Sequence, residues 1–186
     1  MSLTREEYAG VAARAQLLVC GEEVERAMDR MAGEIAADLG AADPLVLCVM
    51  TGAVVAVGRL LPRLGFRLQL DYLHATRYRG ATRGGEIAWA RRPAASIRGR
   101  HVLLVDDILD EGLTLESAAT ACREDGALSV RSAVLVEKER PRACGFVADY
   151  VGVRVPDRYV CGYGLDYKGY FRNLPGIYAV ADEDIR

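Results

Sequence analysis

Four carboxylates crowd positions 106 to 111, namely Asp106, Asp107, Asp110 and Glu111, with no basic residue among them and the apolar run Val102–Val105 directly before. Acids packed at the end of a buried strand repel one another, and a metal cation or a hydroxyl-rich ligand relieves that repulsion. A solvated acidic loop is the plain alternative. Gly112 lets the backbone approach a ligand closely, and helical character starts at Thr114, so the amides from Glu111 to Thr114 can point at a phosphate. Acids and a phosphate are compatible neighbours if carboxylates take hydroxyls and metal while main-chain N–H groups take the anion.

A second concentration is basic. Arg77, Arg79, Arg83, Arg91, Arg92, Arg98 and Arg100 face one acid, Glu86, with Gly80, Gly84, Gly85 and Gly99 interspersed. Two readings stay open for it: a solvated loop or hairpin, or a lid that attracts a polyphosphate and closes over it.

The elements that must position these groups follow from apolar periodicity. Thr4-Arg5-Glu6-Glu7 has the form of a capping box, and Val24, Met28, Met31, Ile35 and Leu39 recur at helical spacing before Gly40, which predicts two helices in the first forty residues. Leu45 to Met50 reads as a strand, Ala53 to Leu64 as a helix, and Leu68, Leu70, Tyr72 and His74 alternate as in a strand. His101 to Val105 is another strand, Thr114 to Arg123 a helix, and Ser129 to Val136 and Phe146 to Val155 two further strands before Pro156-Asp157 turns the chain. Strands alternating with helices predict an α/β fold with a parallel sheet covered on both faces, whose ligands bind where strand C-termini feed loops. Those loops follow Met50, Val105 and Val136.

Composition excludes several classes. With 24 Lys and Arg against 26 Asp and Glu, the net charge of −2 draws the chain toward neither nucleic acid nor an anionic membrane. No apolar run nears the roughly 20 residues that span a bilayer, and MSLTREEYAG lacks the basic start and apolar core of a signal peptide, so the expected location is the cytoplasm. Cys20, Cys48, Cys122, Cys144 and Cys161 form an odd set without a CxxC pair, which favours reduced thiols over disulfides or zinc. His74 and His101 have no metal-ligand spacing and read as packing or surface residues.

The segment VLLVDDILDEGLTL, from Val102 to Leu115, resembles the phosphoribosyl pyrophosphate signature of type I phosphoribosyltransferases. The segment PDRYVCGYGLDY, from Pro156 to Tyr167, followed by Tyr170-Phe171-Arg172, is similar to the hypoxanthine-guanine branch of that family. The resemblance runs more weakly from about Leu45 to Val180 and gives the first forty residues no role beyond structure. A length of 186 residues predicts a single domain over 1–186, with the N-terminal helices in 1–40; the resemblance implies a core in 45–155 with a mainly parallel sheet flanked by helices, a small purine-binding hood in 156–186, and a flexible catalytic loop.

It also implies site roles. Asp106 and Asp107 would bind the ribose hydroxyls, and Asp110, Glu111, Gly112, Leu113 and Thr114 would cradle the 5-phosphate, with Asp110 as general base. Lys138 would hydrogen-bond the purine 6-oxo group, Tyr159 stack on the ring and the Val160 backbone read its edge. Asp166, with Asp106 and Asp107, would serve Mg2+, and Arg172 with Thr51 and Gly52 would meet pyrophosphate. Taken singly, Tyr159 could be core, Lys138 an exposed strand-end charge, and Asp166 with Arg172 a surface pair. Two departures stand out: Thr51-Gly52 where the family commonly has a basic residue before glycine, and Arg77-Tyr78 in place of Ser-Tyr in the mobile loop. Arg77 is thereby placed to compensate for Thr51, and the resemblance implies a cis peptide between Met50 and Thr51.

The implied activity is transfer of the 5-phosphoribosyl group from phosphoribosyl pyrophosphate to hypoxanthine or guanine, with Mg2+, in a homodimer or homotetramer and without nucleic acid or membrane partners. A rival keeps the fold as a regulator that senses phosphoribosyl pyrophosphate and binds nucleic acid through its arginines. A receiver domain of the signalling kind also has paired acids after a strand, but there the pair lies near the domain start rather than at 106.

Overall fold

The computed structural model describes residues 2–77, 87–142 and 144–185. Its first helix, α1 (Arg5–Arg14), carries the capping box: Glu7 N–H donates to the Thr4 hydroxyl at 3.2 Å, and Thr4 N–H to the Glu7 carboxylate at 2.7 Å. Helix α2 (Gly21–Leu39) buries Val24, Met28, Met31, Ile35 and Leu39 along one stripe, as their spacing requires. Between the helices lies a short strand, β1 (Gln16–Val19), that helical periodicity does not reveal. Four residues, the first two exposed and the last two half-buried, offer no alternation to read.

The main sheet is built from β2 (Leu45–Val49), β3 (Gln69–Arg77), β4 (Ile87–Arg91), β5 (His101–Leu109), β6 (Ser129–Glu139) and β7 (Tyr150–Pro156), in the order β4-β3-β2-β5-β6-β7. Five strands run parallel and β4 returns antiparallel on the outer edge of β3. Alternation along the central strands feeds two cores. Val46, Cys48, Leu103 and Val105 pack on α2 and α3 (Val54–Leu60), whereas Leu45, Leu47, Val102 and Leu104 pack on Leu115, Ala118, Ala119 and Cys122 of α4 (Leu113–Glu124). A sheet covered on both faces is why these strands read as unbroken apolar runs.

Boundaries differ from the sequence reading at two places that matter. Strand β5 does not stop at Val105 but continues through Asp106 and Asp107 to Leu109, so the acid pair stands on a ladder rather than in a loop. Strand β7 begins at Tyr150 rather than Phe146, because Asp149 first turns its carboxylate onto the backbone and hydroxyl of Ser132, at 2.8 and 3.0 Å.

A second sheet orders β1-β9-β8, with β8 (Val160–Cys161) and β9 (Ile177–Ala179) both antiparallel to their neighbours. Helix α1 packs on the same region: the Tyr8 ring stacks on Phe171 at 4.3 Å between centroids, beside Tyr167 and Val180. The N-terminal forty residues therefore share a sheet and an aromatic cluster with the segment that carries Tyr159, Asp166 and Arg172. Among the described residues no helix is long and apolar enough to cross a membrane.

Candidate functional site

Strands β2, β5 and β6 are adjacent and parallel, so the chain segments that follow them meet at one edge of the sheet. Asp106 is buried there, only 7% exposed, and its Oδ1 accepts the Asp107 N–H at 2.9 Å. Burial, followed by the charge of Asp107, pushes the Asp106 carboxyl well above the usual carboxylate range. Burial raises Asp107 as well, against the opposing pull of Asp106 hydrogen bonding and of Arg172. Among the described residues neither carboxylate has a salt bridge.

The Asp107 carboxylate lies against Gly52 so closely that a Cβ on Gly52 would overlap it. The residue after Thr51 is glycine for that reason, not for a special backbone angle. Gly52→Ala is expected to destabilise the fold by about 1–3 kcal/mol, the usual cost of overpacking, and to displace the Asp107 carboxylate. Urea unfolding measures the first effect; unchanged stability would show that the acid can move aside freely.

Past the acids, Gly112 adopts φ +84° and stands at the N-cap of α4, where no side chain caps the helix. A twelve-residue helix thus opens its amide end toward the cleft. Behind the turn, the Cys144 thiol donates to the Glu111 carbonyl at 3.0 Å, and its sulfur would stand 2.7 Å from a Cβ at Gly112. The cleft so formed holds about 350 Å³ and is lined by Met50, Gly52, Asp106, Asp107, Asp110, Glu111, Gly112 and Thr114, among others.

An adjoining cleft of about 250 Å³ shares Asp107, Ile108 and Asp110 with the first and adds Lys138, Tyr159, Val160, Leu165 and Asp166. The Tyr159 ring is 40% exposed and braced edge-on by Tyr167, with centroids 5.4 Å apart, so it is not core. Nor is Lys138 an exposed charge: it is buried, with Nζ 2.9 Å from Asp110 Oδ2. Arg140 holds the other oxygen of Asp110 at 2.8 Å. Burial works against the Asp110 charge, but Lys138 and then Arg140 outweigh it and hold the carboxyl below its ordinary value.

Asp166 and Arg172 do form a pair, at 2.7 Å, while Arg172 also donates to the Gly164 carbonyl at 2.5 Å and Gly169 N–H to the other Asp166 oxygen at 2.7 Å. Thr51 is exposed and follows a cis peptide bond from Met50. Arg77 ends β3; its side chain, Tyr78 and the rest of the candidate lid to Glu86 lie outside the described residues. A larger cleft of about 650 Å³ is lined by Glu25, Arg59, Tyr163, Leu174 and, on the side of this site, Arg172.

Sequence reasoning missed Arg140, Asp157 and Arg142. Asp157 lies 3.7 Å from Lys138 Nζ and 3.6 Å from Arg140; Arg142 binds Glu137 at 2.6 Å and reaches the Asp110 carbonyl at 3.3 Å. No local pattern marks them: β6 ends at Glu139, so Arg140 and Arg142 lie beyond the strand, where alternation of side chains no longer applies.

Comparison with known proteins agrees with this geometry. The model of the phosphoribosyl transferase domain family matches residues 18–167. The chain is 31% identical over 169 residues to the hypoxanthine-guanine phosphoribosyltransferase of Streptococcus pneumoniae, covering 90% of this chain and 94% of that one. It is 32% identical to the hypoxanthine-guanine-xanthine phosphoribosyltransferase of Tritrichomonas foetus, over 84% of this chain and 86% of that protein. Among solved structures, a hypoxanthine phosphoribosyltransferase from Staphylococcus aureus superposes with a TM-score of 0.86 at 25% identity, covering 98% of both chains.

Proposed function

The chain belongs to the phosphoribosyltransferase family, and from that premise we propose that it is a purine salvage enzyme, joining hypoxanthine or guanine to phosphoribosyl pyrophosphate to give IMP or GMP and pyrophosphate. One observation carries the reading: the acid-and-amide cleft and the Tyr159–Lys138 cleft share Asp107 and Asp110. A sugar phosphate in the first and a flat base in the second would meet over those two residues.

In this reading Asp106 and Asp107 accept hydrogen bonds from the ribose hydroxyls, and the amides from Glu111 to Thr114 hold the 5-phosphate. Tyr159 stacks on the purine, the Val160 backbone reads its edge, and Lys138 donates to the 6-oxo group. Loss of pyrophosphate leaves positive charge on the ribose ring, which the paired carboxylates favour. Asp110 takes the N7 proton as N9 attacks. Arg172, Thr51 and Gly52 meet the leaving pyrophosphate, with Arg77 and Tyr78 assigned to a lid that excludes water.

Mg2+ fits the donor set as a shared ion rather than a caged one. No three acidic, histidine or cysteine side chains among the described residues cluster to hold a metal alone. Two hard carboxylates that burial sets against their own charge, with Asp166 nearby, suit an ion that takes its other ligands from substrate oxygens and water. When bound it would neutralise charge on the leaving pyrophosphate.

Of the seven arginines behind the nucleic-acid-sensing alternative, Arg91, Arg92 and Arg100 are engaged within the chain by Tyr72, Asp125 and Gln69, and no described feature favours that alternative. Assembly as a homodimer or homotetramer in the cytoplasm is part of the proposal. The deciding experiment follows pyrophosphate release with phosphoribosyl pyrophosphate, Mg2+ and each purine base in turn, with and without chelator. Nucleotide formation with 6-oxopurines that stops on chelation is expected; no nucleotide from any base overturns the reading.

A further inference from the structure

Asp110 has two cationic partners, one on each oxygen: Lys138 at 2.9 Å and Arg140 at 2.8 Å. The same two cations face Asp157 from 3.7 and 3.6 Å. Two further charged groups border the cluster. Glu111 acts on Arg140 through space, and Arg142 is already engaged by Glu137 and by the carbonyls of Asp110 and Lys138. The balance at its centre is two cations to two carboxylates.

The salvage reading, on which this inference rests, needs Lys138 to donate to the 6-oxo group of the base. In the free protein that ammonium is held by Asp110. Turning it toward a ligand would leave a partly buried carboxylate unpaired unless a second cation stays behind, and an unpaired charge of that kind is costly. We propose that Arg140 is a positioning residue for purine recognition: it keeps Asp110 paired and in place while Lys138 turns from Asp110 to the 6-oxo group. Arg140 touches no substrate and acts through Asp110. Its guanidinium is suited to the task, since it is always charged and binds a carboxylate oxygen with fixed geometry. Without it, one ammonium would serve both Asp110 and Asp157, and recruiting that ammonium would strand both.

A ligand with hydrogen at C6 makes no demand on Lys138, so the contribution of Arg140 should depend on the 6-oxo group. Calorimetric titration of IMP and of purine riboside 5′-monophosphate, which differ at C6 and in the N1 proton that accompanies the 6-oxo form, tests this on wild type, Arg140→Ala and Arg140→Lys, since neither difference contacts Arg140 directly. Arg140→Ala should weaken IMP about tenfold, the scale of one charge-assisted hydrogen bond, and the analogue less than about twofold, with Arg140→Lys restoring most of the loss. Arg140→Gln replaces the alanine variant if that does not fold. Equal weakening of both nucleotides, or weakening of neither, overturns the inference while leaving the salvage reading intact. Failure of the wild-type protein to bind IMP overturns both.

Discussion

Asp110→Asn is expected to lower kcat by about 10²–10⁴-fold, the range that a positioned acid or base contributes, while the KM values for base and phosphoribosyl pyrophosphate change far less. The side chain keeps its size and its place at the junction of the two clefts, so binding surfaces survive and the proton acceptor does not. In the free protein Asp110 is a weak base: burial favours its proton, but Lys138 and Arg140 overcome that and hold the carboxyl low. It is therefore ionised at neutral pH and ready to accept. When Lys138 turns to the purine, one of the two depressing charges leaves, and the carboxylate becomes a stronger base as the N7 proton must go. Steady-state rates at saturating concentrations of both substrates measure the effect; a wild-type rate removes Asp110 from the role. The same pairs contribute stability that is present above the ordinary carboxylate value and lost as pH falls through the lowered one. The asparagine variant should lack that acid-side loss.

Much of the architecture was legible because it rests on repetition. Leu45 to Val49 is buried throughout, and a strand buried on both faces announces itself as an unbroken apolar run. The stripe from Val24 to Leu39 runs along about four helical turns and could hardly be anything else. Short elements escaped for the converse reason: β1 has four residues and gains its place only by pairing with β9, some 160 positions later. No local pattern encodes such a partner. Strand β5 runs on past its apolar residues because a β ladder to Val134 carries Asp106 into the sheet, although acids in sequence look like loop residues.

The candidate site divides along the same line. Residues contiguous in sequence, from Asp106 to Thr114, declare a joint chemistry by adjacency alone. The second cleft collects Lys138 from β6, Tyr159 and Val160 from the hood and Asp110 from the acidic turn, residues that in the sequence are linked by resemblance and not by adjacency. Asp157 and Arg140 fell outside both signals, since their importance lies in a contact across two loops. Gly52 likewise shows its reason only in three dimensions, where the Asp107 carboxylate fills the space a side chain would need.

Asp106→Asn is expected to stabilise the metal-free protein by about 0.5–2 kcal/mol, as relief of strain at functional sites commonly does, while reducing the affinity for phosphoribosyl pyrophosphate about 10- to 150-fold, the worth of a hydrogen bond to a charged group. The two effects have one cause. Burial and then Asp107 raise the Asp106 carboxyl, so between the ordinary carboxylate value and the raised one the folded chain keeps a proton that the unfolded chain has released. Stability must then fall as pH rises through that window, because the folded state binds more protons than the unfolded state. An amide has no charge to suffer from burial or from Asp107, and the fall should flatten in the variant. Urea unfolding in chelator at several pH values reads the slope; an unchanged slope would mean that Asp106 carries no such penalty. The penalty also explains why the pair is useful: a sugar with two hydroxyls and a bound cation supplies what the folded chain withholds, and folding energy held at Asp106 is returned as affinity when the ligand arrives.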